Sequence, residues 1–163
     1  MGRNRHADAR PPCDPDSERA VIGSILVDAG CLVAIERLIR PEDFSEDRLG
    51  LFYGRLLALA EAGMAIGDTV ILVDALRASG DWGRIGGAAT MADCAHAVPV
   101  ACHAVHYAEI VVEKSFRRRL IRSLALITQR CYDPGRTVDD LRGSVRSLCN
   151  KVSPNSSGVE SAE

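Results

Sequence analysis

The chain has 163 residues, 47% hydrophobic and 26% charged, which is enough for one domain with a real core. Aromatics are only 4%, so that core is built mainly from Leu, Ile, Val and Ala, a choice that suits helix packing better than a sheet sandwich. A formal charge of −2 supplies no overall basic field and argues against direct nucleic-acid binding. The six cysteines form no Cys-x-x-Cys pair, no secretory signal is present, and no apolar run approaches the ~18 residues of a membrane span, so reduced thiols in a cytoplasmic protein are expected.

Residues 1–12 are polar, carry Arg3, Arg5 and Arg10, and end in two prolines, the composition of a flexible arm. Asp14 as N-cap with Pro15 in the first turn opens a helix to about Asp28, with Ala20, Val21, Ile25 and Leu26 on its apolar face. A second helix is expected from Cys31 to Ile39, stopped by Pro41. Ser45 caps a third, to about Ala62, in which Leu49, Phe52, Tyr53, Leu56, Leu57 and Leu59 recur at helical spacing before a left-handed exit at Gly63. Asp68 caps a shorter helix through Leu76 that ends at Gly80, and Gly83-x-x-Gly86-Gly87 turns into another that reaches Ala97. Pro99 breaks the chain before its longest helix, from about Val100 to Tyr132.

The turn Asp133-Pro134-Gly135-Arg136 leads to a final helix opened by Thr137 with Asp140 three residues on, an acidic capping box. Along it Val138, Leu141, Val145, Leu148 and Val152 form a two-heptad seam, and the long helix offers Phe116, Leu120, Leu124, Ile127 and Cys131. So short a turn makes the pair an antiparallel hairpin. Each seam residue is worth about 1.5–3 kcal/mol if fully buried, and a bare two-helix hairpin covers only part of such a face. A second copy of the chain is the economical cover, the alternative being that the hairpin folds back on its own globular part. The expected architecture is all-α: a compact bundle over 13–98, a hairpin for dimerisation over 99–152, and a Ser-rich disordered tail or linker over 153–163.

Several segments in register carry a family resemblance. Pro11-Pro12 precedes Glu18 and Gly23-Ser24-Ile25-Leu26; Glu42-Asp43-Phe44 and Ile85-Gly86-Gly87 follow; Val98-Pro99 leads at the right spacing to Tyr107-Ala108-Glu109-Ile110-Val111, and Glu113-Lys114 to Arg118-Arg119-Leu120-Ile121. Together they resemble the N-terminal domain of DnaB-type replicative helicases over about Pro11 to Val152. The chain departs from that pattern at Arg48-Leu49-Gly50-Leu51-Phe52, which is one residue short of the family's His-Arg step, at Ala65-Ile66-Gly67-Asp68, one residue longer than its Pro-Ile-Asp, and at His103-Ala104 in place of Asn-Ile. These departures touch partner contacts rather than the fold.

The resemblance implies a collar in DNA replication. Such domains pair through their hairpins, three pairs stack on a hexameric motor ring, and the collar receives primase and, in some members, a loader. Self-association would then rest on Phe116, Leu120, Leu124, Val138, Leu141, Val145 and Leu148. Contact with an acidic partner or phosphate would fall to Arg118 and Arg122, although the arginines from Arg117 to Arg122 also read as a solvated, ion-paired helix face behind Glu113. No Gly-x-x-x-x-Gly-Lys-Ser/Thr is present, and of the two lysines, Lys114 and Lys151, neither adjoins glycine, so ATP hydrolysis does not reside here.

Other chemistry is weaker. Cys94, His96, Cys102 and His106 lack finger spacing and read as thiols and surface or capping histidines; no metal or cofactor is expected. Glu42-Asp43 and Asp139-Asp140 sit at helix starts, where carboxylates offset the dipole, and no catalytic role is expected of them. The competing readings are a free-standing helical adaptor or regulator that binds a helicase or an unrelated protein, and a small metal-binding regulator.

Overall fold

The computed structural model describes residues 10–98 and 103–152, the last two as backbone only. Most of the expected arm, the break at Pro99 with Cys102 beyond it, and the tail 153–163 lie outside the described residues. Within them every regular element is a helix: α1 (Pro15–Val27), α2 (Cys31–Ile35), a 3-10 turn at Pro41–Asp43, α3 (Asp47–Glu61), α4 (Thr69–Ala78), α5 (Gly87–His96), α6 (Ala104–Cys131) and α7 (Val138–Val152). The all-α expectation holds. The chain divides into two compact units, one running to Phe116 and the other from Arg117, so that α6 contributes to both.

The first unit starts as its sequence dictates. The Asp14 carboxylate accepts a hydrogen bond from the Ser17 amide at 3.0 Å and Pro15 occupies the first turn. α1 is buried on most of its circumference, including Val21, Ile22 and Ile25, because α5, α3 and α2 pack against it. At Gly23 it approaches α5 so closely that a Cβ there would lie 2.0 Å from the Cys94 carbonyl oxygen. Only hydrogen fits in that space.

One turn earlier, Glu18 is fully buried. Its carboxylate accepts from the Ser45 amide at 2.8 Å and the Glu46 amide at 3.3 Å, just ahead of α3. A helix N-terminus leaves amides without partners and favours negative charge, so a carboxylate from α1 does the work expected of the Ser45 side chain. The N-cap itself is Glu46, whose side chain makes no capping bond.

The second helix is shorter than expected. It ends at Ile35, and the chain continues through a turn in which Ile39 stays buried. Pro41 forces Arg40 into an extended conformation, and the 3-10 turn that follows is closed by the Asp43 carboxylate, which accepts from the Arg40 amide at 2.9 Å. Asp43 also accepts a 2.6 Å hydrogen bond from the Ser115 hydroxyl, tying the 3-10 turn to α6.

Leu49, Phe52, Tyr53 and Leu56 of α3 form the centre of the core, joined by Leu72 and Leu76 of α4, Ile85, and Ala104, Ala108 and Val111 of α6. The Tyr53 hydroxyl donates to the Ile39 carbonyl at 3.3 Å, and burial raises its pKa well above the usual phenol range. Gly63 and Gly80 take positive φ after α3 and α4, the left-handed exits that the sequence calls for. Near α4, Asp81 is buried and paired with Arg55 and Arg84. Burial pushes its pKa upward, but the hydrogen bonds and charges of Arg84 and Arg55 prevail and hold it below the ordinary carboxylate range.

Candidate interaction surface of the helical hairpin

The second unit is made of the later part of α6, a tight turn and α7. Asp133 fixes the turn by accepting from the Gly135 amide at 3.0 Å, with its ion pair to Arg136 at 3.5 Å. The expected capping box forms: the Asp140 amide donates to the Thr137 hydroxyl oxygen at 3.2 Å, and the Thr137 amide donates to the Asp140 carboxylate at 3.1 Å. Hydrogen bonds from the Thr137 hydroxyl and amide lower the Asp140 pKa. α7 returns alongside α6, as the 2.9 Å bond from Arg130 to the Ser144 hydroxyl shows. The pair is an antiparallel hairpin.

The half-buried residues of this unit are Leu120, Ser123, Ile127 and Arg130 on α6 and Leu141, Ser144 and Leu148 on α7. They repeat at three and four residues, the stripe on which two helices meet. That stripe is narrow and partly polar. The expected seam is therefore split: Leu120, Leu141 and Leu148 lie on the half-buried line, whereas Leu124 is 49% exposed, Val138 64% and Val145 47%. Phe116, at the end of the first unit, is also exposed.

The split follows from geometry. A heptad stripe on α7 spans an arc wider than one facing helix can cover, so alternate members turn outward. Val138, Leu141, Val145 and Cys149 thus line an open apolar groove on α7, edged by Arg142 and Arg146. Two more exposed apolar side chains, Ile121 and Leu126 on α6, were not singled out from sequence, because they fall outside a strict three-four repeat. Of the two arginines expected at a partner surface, Arg122 is exposed and Arg118 is 5% exposed.

The other candidate cluster is dispersed. Cys94 is buried in α5, and burial pushes its thiol up to about 12, so it stays protonated at neutral pH. His96 and His106 are exposed, the latter beside Glu109 at 3.9 Å, and Cys102 lies outside the described residues. Among the described residues, no three His, Cys, Asp or Glu side chains are grouped so as to hold a metal ion. Nor is any helix among them long and apolar enough to cross a membrane.

Comparison with known proteins agrees with this architecture. The family model described as the DnaB-like helicase N terminal domain matches residues 10–113. The chain is 35% identical over 131 residues to the replicative DNA helicase DnaB of Geobacillus stearothermophilus, covering 80% of this chain and 29% of that protein. It is 33% identical over 145 residues to the replicative DNA helicase DnaC of Bacillus subtilis, covering 89% of this chain and 32% of that one. It thus spans about a third of the length of these relatives. Among solved structures, the N-terminal domain of DnaB helicase from Mycobacterium tuberculosis superposes with a TM-score of 0.76 at 30% identity, over 85% of this chain and 99% of the other. A DnaB-like replicative helicase, solved in a study that also treats its interactions with primase, shares the fold with a TM-score of 0.68 at 21% identity over 88% of this chain and 32% of its own.

Proposed function

The chain belongs to the DnaB-like helicase N-terminal domain family, and from that premise we propose that it acts as an assembly and recruitment collar for a replicative helicase. Two copies pair through their hairpins, three pairs build a six-membered ring, and the ring receives primase and, where one operates, a loader. The work is done in the cytoplasm. ATP hydrolysis and unwinding fall to a motor outside these residues, since no phosphate-binding loop occurs in the sequence.

One observation carries the pairing: Val138, Leu141, Val145 and Cys149 line an open apolar groove on α7, and Leu124 is exposed on α6, in a two-helix unit that has little interior of its own. Contiguous exposed apolar surface on a stable protein marks an interaction site. The heptad spacing of Val138 and Val145 along α7 suits a partner that is itself a pair of helices, as a second hairpin is. Phe116, Leu120, Leu124, Val138, Leu141, Val145 and Leu148 are assigned to this interface, the half-buried members by holding the two helices in register. Arg122 is the arginine left for a further partner.

Recruitment is tested by mixing the native chain with primase from the same cell and measuring the mass of the eluting species by gel filtration with light scattering. A complex containing both proteins is expected. Failure of primase to bind, with some other protein recovered in fixed ratio instead, would make the chain an adaptor for that protein.

A further inference from the structure

The whole-chain charge of −2 conceals a partition. Residues 10–116 hold nine Lys and Arg against sixteen Asp and Glu, a formal −7, whereas residues 117–152 hold nine against three, a formal +6. The hairpin unit is strongly basic, and eight of its nine cations are arginines. Its few acids are committed locally: Asp133 to the Gly135 amide and Arg136, Asp139 to Arg142, and Asp140 to the cap of α7. Arg122 on α6 and Arg146 on α7 are exposed, as is Arg142 beside its weak 3.5 Å pair. The positive charge therefore runs along both helices, each reaching roughly 22 Å in this unit, instead of collecting at one point.

At the tip of the hairpin, Tyr132 is 83% exposed and shares an open groove with Arg130, Arg136 and the Asp133 carboxylate that pairs with Arg136. An exposed aromatic ring at the end of a dispersed row of arginines is an arrangement that suits single-stranded nucleic acid: bases stack on the ring and phosphates meet the arginines. An acidic peptide concentrates its charge on a short segment and has no use for the aromatic tip.

We propose that the hairpin unit binds single-stranded nucleic acid, with Arg122, Arg142 and Arg146 contacting phosphates and Tyr132 stacking on a base. This assignment rests on the charge partition and the tip, and not on hairpin pairing. Arg142 and Arg146 also line the apolar groove on α7, so phosphate contact and pairing draw on adjoining parts of one surface, while Arg122 and Tyr132 lie outside that groove. A bound polyanion also offsets the repulsion between two units of +6 brought together.

The test is fluorescence anisotropy of a labelled oligo(dT) of about 16 nucleotides, titrated with the full chain. Three phosphate contacts predict affinity falling roughly twenty-fold between about 50 and 200 mM salt. Arg122→Glu with Arg146→Glu is expected to weaken binding at least about tenfold and to flatten the salt slope by about 0.7 per residue. Tyr132→Ala should weaken it with the slope unchanged. Both variants change exposed side chains, and circular dichroism checks that each stays folded; Arg122→Gln with Arg146→Gln serves if the reversal does not. Binding by a chain that remains monomeric supports the proposal equally. It is overturned if oligo(dT) does not bind, if the arginine variants bind as the native chain does, or if a poly-glutamate peptide or duplex DNA of equal charge binds as tightly as oligo(dT).

Discussion

Leu56 on α3 and Leu124 on α6 are both mid-helix leucines, yet the first is fully buried and the second 49% exposed. The difference lies in how many elements surround each helix. In the first unit side chains of α1, α3, α4, α5 and the start of α6 share one buried core, and even carboxylates such as Glu18 and Asp43 are buried with defined partners. In the second unit each helix has one neighbour, and the same residue types remain at the surface. One unit holds its own fold together and the other leaves apolar side chains at its surface.

That contrast can be broken most sharply by matched truncations. Leu56→Ala should cost about 2–5 kcal/mol of unfolding free energy. Leu124→Ala, measured by urea titration at a concentration where the chain is monomeric, should stay within about 0.5 kcal/mol. Equal losses would mean that the hairpin is packed as the globular unit is. Next, Gly23→Ala places a methyl group against the backbone of α5 and is expected to lower stability by about 3 kcal/mol, seen as a drop of roughly 12 °C or more in Tm. Addition of one carbon to Gly143 of α7, where nothing lies within 4 Å, should leave Tm unchanged or raise it slightly.

Glu18→Gln sharpens the comparison from the polar side. It removes a buried charge and one acceptor from the start of α3, for a loss of about 1–3 kcal/mol, with the hairpin unaffected. The smallest effect is the acid dependence. Asp81 and Asp140 both have folded pKa values below their unfolded ones, so each contributes stability that is full above the ordinary carboxylate pKa and is lost as pH falls through the lowered folded value. The buried Asp81 pair should resist added salt and the exposed Asp140 cap should not. Acid titrations of Asp81→Asn and Asp140→Asn at two salt concentrations check this.

What was legible in the sequence was local. The Asp14 and Asp68 caps, the glycine exits at Gly63 and Gly80, and the Thr137 to Asp140 box each depend on residues within a few positions of one another, and each forms. The capping of α3 by Glu18 could not be read, because its partners lie 27 and 28 residues away and Ser45 offered a closer candidate. The early end of α2 came from the demands of the Pro41 turn, which a periodic pattern through Ile39 does not register. Gly23 did give a signal, a glycine inside an apolar helix face, but the sequence alone does not name Cys94 as its neighbour. On the hairpin the seam was legible as a stripe, while its division between half-buried and exposed members depends on the angle at which α7 meets α6. The charge partition was present in the residue counts and was hidden by taking them over the whole chain.

The residues that carry the family pattern have structural work in this chain: Glu18 caps α3, Gly23 admits α5, and Asp43 with Phe44 closes the 3-10 turn onto the core. They explain the shared fold. The proposed function rests on pairing through the hairpin surface. The most direct measurement is solution mass by light scattering across a range of concentrations, for the native chain and for Leu124→Asp with Val145→Asp. Both substituted positions are exposed, so the monomer should keep its fold by circular dichroism. The expected result is a dimer or hexamer for the native chain and a folded monomer for the variant, since a carboxylate in a desolvated interface is strongly unfavourable. A native chain that is monomeric throughout, or a variant that assembles as the native chain does, would contradict hairpin pairing.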